Sequence, residues 1–132
     1  MLSIPEYKDA ARVFHYFEEI SKIPRGSYHT DAIAAWLAGF AKEHGLPCLV
    51  DKNNNVVIRK PATPGYENHP GVVLQGHTDM VAEKTADCKK DMEREGLDLY
   101  CDGDFLRAKG TTLGGDDGVA VAYALALLEA DD

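Results

Sequence analysis

An imidazole and a carboxylate two residues apart are the first feature of the sequence that could do chemistry. His77 and Asp79 follow an apolar run that includes Val72, Val73 and Leu74. Residues i and i+2 of a strand point to the same side, so the two side chains can meet. A carboxylate that fixes an imidazole is typical of a metal-binding histidine and equally of a general base. A satisfied polar pair at a strand end is the non-functional alternative.

A glycine-rich loop with two adjacent carboxylates is the second candidate. Residues 110–118 read GTTLGGDDG and lead into a predicted helix. An Asp at a helix start can act only as a cap, but neighbouring carboxylates repel each other unless a cation or donors offset the repulsion. The loop lacks the lysine of a phosphate-binding loop and the spacing of a dinucleotide-binding one. Asp116 and Asp117 therefore favour a cation over a phosphate.

The charge distribution excludes several classes of partner. Residues 1–60 carry eight Lys or Arg and seven Asp or Glu, a net of +1, whereas residues 61–132 carry six and fifteen, a net of −9. An acidic surface repels phosphate backbones and anionic lipids, so we expect no nucleic-acid or membrane partner.

The cysteines and the start of the sequence predict the compartment. The three cysteines are odd in number and form no C-x-x-C pair, which indicates reduced thiols. The first residues lack the basic and apolar regions of a secretory signal. We therefore expect a cytoplasmic protein.

The elements that must position these residues follow from periodicity and turn chemistry. Apolar residues at three- and four-residue intervals predict amphipathic helices over 7–22 and 31–44, the second with Thr30 as candidate cap. Short strands are predicted at 47–51 and 56–60, and a hairpin at 97–101 and 105–108 around Asp102-Gly103. The run 71–77 is apolar without alternation, which predicts a strand covered on both faces of a parallel sheet. The pattern indicates the α/β class.

The last predicted helix, over 115–129, is apolar around its whole circumference from Val119 to Leu128. We expect such a helix to be buried on every side. It leads to Asp131 and Asp132, whereas cations or glycine are usual at the negative end of a helix dipole. We therefore expect the C-terminus to be a cut within a larger fold and not a natural end.

The two motifs carry a family resemblance. The segments Val72–Val81 and Lys109–Gly118 resemble the two N-terminal metal-site segments of the co-catalytic zinc peptidases, a family that includes carnosinases, aminoacylases and glutamate carboxypeptidases. The resemblance is strongest to the peptidase D branch, and it extends to residues 58–63 and to the helix end at 36–45. Asp117, Gly115, Lys109 and Thr78 depart from that branch.

The resemblance implies a fold and a set of site residues. The fold would be the N-terminal portion of a three-layer α/β/α zinc-exopeptidase catalytic domain with a mixed sheet. His77 would bind one of two zinc ions, with Co or Mn as other divalent candidates, and Asp116 would bridge both ions. Asp79 would be the catalytic-site Asp that orients and polarises His77. A cis peptide would follow Asp116.

The resemblance also implies a function for the whole enzyme, the hydrolysis of dipeptides of the Xaa-His type by a homodimer. The general-base Glu, the other ligands and the lid domain of the family have no counterpart in residues 1–132, so we expect negligible peptidase activity from this chain alone. Two alternatives stay open. One is another hydrolase of the family, such as an aminoacylase or a carboxypeptidase. The other is a non-catalytic metal-binding or interaction module on the same scaffold.

Overall fold

Three helices and four short strands make up the computed structural model, which describes residues 10–131. In chain order the elements are α1 (Ala11–Ser21), α2 (Asp31–Glu43), β1 (Cys48–Val50), β2 (Val56–Ile58), β3 (Leu99–Asp102), β4 (Phe105–Ala108) and α3 (Gly115–Glu129). All three predicted helices are confirmed, although residues 7–9 of the first prediction lie outside the described part. No helix among residues 10–131 is long and apolar enough to cross a membrane.

The core lies where the three helices meet. In α1 and α2 the buried side chains are those that the sequence periodicity places on one apolar face, whereas α3 is apolar all round and buries only part of its circumference. The buried cluster comprises Tyr16, Phe17, Ile20, Ile33, Leu37, Phe40, Ala122 and Leu125. Within it the rings of Tyr16 and Phe40 meet edge to face, with centroids 5.4 Å apart. Because α3 packs on α1, the loop that begins α3 is held against the end of α1.

The predicted hairpin at 97–108 forms, and the two short strands predicted before it pair with each other as a second hairpin. Strands β1 and β2 pair antiparallel from Cys48↔Ile58 to Val50↔Val56, and β3 pairs with β4 from Leu99↔Ala108 to Asp102↔Phe105. Asn54 and Gly103 take positive φ values of 64° and 58° in the two connections. Asn and Gly tolerate this conformation, which explains why turn chemistry alone located the hairpins.

The predicted strand at 71–77 is not formed. Val72 and Val73 are 85% and 89% exposed, and no strand among the described residues pairs with this segment. An apolar run becomes a strand only when neighbouring backbone supplies hydrogen bonds, and residues 10–131 bring none alongside it. The described residues therefore build two antiparallel two-stranded sheets, and this part of the chain contains no parallel sheet.

The predicted all-round burial of α3 is also wrong. Ala122 and Leu125 are buried, whereas Val119, Tyr123 and Leu127 are 45–54% exposed. Apolar composition permits burial on every side, but burial also needs a covering layer. Among the described helices, α1 supplies one face only.

A cation does meet the negative end of α3, although its last turn contains no basic residue. Lys60 Nζ donates to the carbonyl of Leu127 at 2.9 Å and also to the carbonyl of Ala130. A positive charge at this end interacts favourably with the helix dipole. The sequence pattern missed this interaction because the lysine is remote along the chain.

The buried core residue Tyr16 should make folding stability depend on pH in the alkaline range. Burial, together with a hydrogen bond and the negative charge of Glu129, raises its pKa from 10.0 to about 12. Between pH 10 and 12 the unfolded chain loses this proton while the native chain retains it, so stability falls as pH rises. We expect Tyr16→Phe to remove about 1.4 kcal/mol of this alkaline loss by pH 11.

Urea unfolding at pH 8, 10 and 11 measures the effect. The exposed Tyr66 provides the matched control, Tyr66→Phe, which we expect to leave the pH dependence of the parent chain unchanged. Equal alkaline slopes for Tyr16→Phe and the parent chain would contradict the assignment.

Candidate metal centre

The segment that carries His77 and Asp79 is anchored to the turn after α1. Gly26 and Met80 form an isolated parallel bridge. Met80 N donates to Arg25 O at 2.9 Å, and Ser27 N donates to Met80 O at 3.2 Å. Just before the bridge, His77 contacts the start of α3 and Asp79 contacts Ser27 in the turn after α1.

His77 and Asp79 meet as the two-residue spacing predicts. His77 Nδ1 lies 3.0 Å from the carbonyl oxygen of Asp79 and 3.2 Å from its Oδ1. Both are acceptors, so in the neutral ring they favour the tautomer with the proton on Nδ1 and the lone pair on Nε2. This is the tautomer that a metal bound at Nε2 requires.

Asp116 approaches the other ring nitrogen. Its Oδ1 lies 3.2 Å from His77 Nε2, and its side chain is 97% exposed. The backbone at Asp116 has φ −90° and ψ 106°, which is not helical, and the Asp116–Asp117 peptide is cis, as the resemblance implies. His77 thus lies between two carboxylates, one at each ring nitrogen.

The two carboxylates shift the pKa of His77, and the pKa of Asp79 shifts in turn. Desolvation lowers the pKa of His77, but the hydrogen bonds and charges of Asp116 and Asp79 together outweigh it and raise that pKa above its usual value. The pKa of Asp79 is lowered, first by the Ser27 hydrogen bond and then by His77. Without a metal, a proton on Nε2 is what relieves the contact between two groups that would otherwise both accept.

Asp117 and Gly76 hold the two segments together. Asp117 Oδ2 accepts a hydrogen bond from His77 N at 3.2 Å. A Cβ at Gly76 would lie 2.7 Å from the same oxygen, so only glycine leaves room for the carboxylate. From the sequence pattern, Asp117 is only half of an acidic pair, and Gly76 has no predicted role.

Ser27 and Arg25 were missed altogether. Ser27 Oγ donates to Asp79 Oδ2 at 2.5 Å, and the buried Arg25 donates to Thr78 O and Gly114 O. These contacts join residues 52 to 89 positions apart in sequence, so no local sequence pattern predicts them. A polar residue just after an amphipathic helix was the only signal.

The donor set fits part of a zinc shell. Two ligands about 2.0–2.1 Å from a tetrahedral zinc ion lie about 3.3 Å from each other. The observed 3.2 Å between His77 Nε2 and Asp116 Oδ1 matches this separation. No group of three or more His, Cys, Asp or Glu side chains among residues 10–131 is arranged to hold a metal. The described residues thus supply two donors, fewer than the four of a zinc shell.

An open groove of about 1150 Å³ leads to the site. Its walls are the 72–79 segment, the β1–β2 turn and one face of α3, and His77 and Asp79 lie among its lining residues. Tyr28, which takes a positive φ of 69°, is 98% exposed at the same groove. The two facing donors are therefore accessible to a small molecule or to another polypeptide segment.

Known proteins resemble this chain over most of its length. Across 112 residues, which are 85% of the chain, it is 46% identical to the cytosol non-specific dipeptidase of Escherichia coli (strain K12). The crystal structure of aminoacylhistidine dipeptidase from Vibrio alginolyticus matches 98% of the chain with a TM-score of 0.92 and 41% identity. No model of a known protein family matches the chain.

The likeness concerns one part of each relative. The chain corresponds to 23% of the Escherichia coli enzyme and to 26% of the Vibrio alginolyticus chain, about a quarter of each. The predicted α/β class is confirmed by the structural match. The chain is thus similar to one part of each of two proteins that are named dipeptidases.

Proposed function

We propose that this chain, homologous to part of the peptidase D dipeptidases, supplies one side of a two-zinc site in an enzyme that hydrolyses dipeptides. Residues 1–132 would be the N-terminal portion of the catalytic domain. The observation that carries the proposal is the 3.2 Å approach of His77 Nε2 to Asp116 Oδ1, with the opposite ring nitrogen held by Asp79. Two relatives that are named dipeptidases support the reaction class.

In this proposal each residue has a separate task. His77 Nε2 would bind one zinc ion, and the exposed Asp116 carboxylate would bridge to a second. Asp79 accepts a hydrogen bond from Nδ1–H. This bond fixes the ring orientation and makes Nε2 a stronger metal ligand. Ser27 in turn fixes the Asp79 carboxylate by donating to Oδ2. When bound, paired zinc ions lower the pKa of water and stabilise the developing oxyanion.

The finer aspects of the proposal rest on the resemblance and on the relatives. We propose Xaa-His dipeptides as preferred substrates, zinc with cobalt or manganese as substitutes, a homodimeric enzyme and a cytoplasmic location. The substrate preference has support from the name of the Vibrio alginolyticus protein, and the location from that of the Escherichia coli relative. Neither an aminoacylase nor a carboxypeptidase has comparable support.

Zinc titration of the purified chain tests the metal site. With two donors from the described residues, we expect weak binding of at most one ion per chain and no hydrolysis of Ala-His above background. Isothermal titration calorimetry measures the affinity and stoichiometry, and cobalt absorption reports the coordination number. Tight binding of two ions would contradict the two-donor assignment.

A chimera tests the reaction. In it, the 112 matching residues of this chain replace their counterpart in the Escherichia coli dipeptidase, at 46% identity. We expect hydrolysis of a dipeptide panel, with Ala-His compared against Ala-Ala and N-acetylalanine. A folded chimera that binds zinc but cleaves no dipeptide would contradict the enzyme proposal and favour the non-catalytic metal-binding module. Cleavage of N-acetylalanine alone would favour an aminoacylase.

A further inference from the structure

Arg25 is a buried cation that joins the two segments of the candidate site. Its side chain is among the largest fully buried ones in the described chain, with 2% of the residue exposed. Nη1 donates to Thr78 O at 3.0 Å, and Nη2 donates to Gly114 O at 2.9 Å. Thr78 lies between His77 and Asp79, and Gly114 lies two residues before Asp116. One guanidinium thus spans both ligand-bearing segments.

The start of α3 is built around this guanidinium. A Cβ at Gly114 or at Gly118 would lie 2.7 Å from Arg25 Nη2. Gly114 also has a positive φ of 67°, which glycine adopts without strain. The glycines of the motif therefore make room for Arg25, in addition to permitting the turn that carries Asp116.

The energetics of burial argue for a role beyond packing. Burying an unpaired cation is costly, and an apolar side chain of similar size is often as stable or more so. Arg25 Nε has no hydrogen-bond partner among the described residues, and Asp79 is the charge that favours the cation. What Arg offers over Lys or Met is a rigid fork whose two nitrogens reach two carbonyls at a fixed separation.

We propose that Arg25 is a positioning residue that sets the spacing between the His77 segment and the Asp116 loop, and so the separation of the two metal donors. This inference rests on the proposed zinc site for its functional consequence. The spacing itself is a property of the metal-free chain. Ser27 has a complementary role. It lies in the same turn after α1 as Arg25 and fixes the Asp79 carboxylate, whereas Arg25 fixes the backbone of the two ligand-bearing segments.

Arg25→Lys tests the inference, since one ammonium group keeps the charge but cannot reproduce the fork. Two readouts are needed. In the zinc-free chain, nuclear Overhauser contacts between the His77 ring and Asp116 report the spacing. In the titrated chain, calorimetry reports zinc affinity, which we expect to fall about 10-fold or more, as for other residues that orient ligands. Arg107→Lys, in the β3–β4 hairpin, is the matched control, and we expect its affinity to stay within about twofold of the parent value.

The outcomes separate the two proposals. A folded Arg25→Lys chain that keeps both the ring contacts and the zinc affinity would overturn the positioning role. If the parent chain binds no zinc, the zinc site fails, and the ring contacts still decide for or against Arg25. If Arg25→Lys does not fold, Gly118→Ala is the second variant. Its added methyl group would push the guanidinium away from its present position, although residue 25 is still arginine. Loss of the ring contacts in that variant supports the role, and their retention overturns it.

Discussion

Alanine in place of His77 is expected to lower the zinc affinity of the chain more than about 100-fold. Removing a residue that only orients a ligand costs about 10–100-fold, and His77 is proposed as a ligand itself. The variant leaves Asp116, whose side chain is 97% exposed, without its partner donor. One exposed carboxylate competes poorly with water for zinc, so little affinity should remain.

Calorimetry and cobalt absorption measure this loss, and His69→Ala is the matched control. His69 contacts Tyr66 in an exposed loop, with ring centroids 5.1 Å apart and the two rings tilted by 39°. We expect its replacement to leave zinc affinity within about twofold of the parent value. Equal losses in the two variants would indicate nonspecific histidine binding. Unchanged affinity in His77→Ala would contradict the site.

Folding stability separates a lost ligand from a lost structure. His77 is half-exposed, and its contacts are with polar atoms of Asp79, Asp116 and Asp117. Alanine should therefore change the free energy of unfolding in the absence of zinc by less than about 1 kcal/mol. A larger loss of stability would assign His77 a structural role, which is the alternative that its short motif left open.

The parts of the site that could be predicted from the sequence are those set by local geometry. His77 and Asp79 meet because two residues along an extended chain share a side, a rule that needs no knowledge of the rest of the fold. The pairing of His77 with Asp116 came from the resemblance alone. Ser27 and Arg25 could not be predicted, because contacts across 52 to 89 residues depend on how α1 packs against α3.

The same distinction holds for the fold. The two hairpins were predictable because Asn54 and Gly103 encode the turns locally. The strand at 71–77 and the burial of α3 were not, since both depend on which layers cover them. An apolar run indicates that burial of its side chains would be favourable. Whether they are buried depends on whether another helix or strand packs over them.

Leu125→Ala is expected to destabilise the chain by about 3 kcal/mol, because it removes a buried side chain from the contact between α1 and α3. Leu127→Ala is the matched control on the same helix. Leu127 is 52% exposed, whereas Leu125 is 2% exposed, so we expect the control to cost less than about 1 kcal/mol. Urea unfolding of both variants measures the difference.

The comparison decides how α3 is held and therefore how Asp116 is placed. If one face of α3 carries its stability, the two leucines should differ by about 2 kcal/mol or more. Zinc affinity should then fall in Leu125→Ala only at temperatures where that chain begins to unfold, since Leu125 lies about two and a half helical turns beyond Asp116. Similar losses for both leucines would mean that the exposed face of α3 is covered in solution, which would restore the sequence prediction of a helix buried on every side.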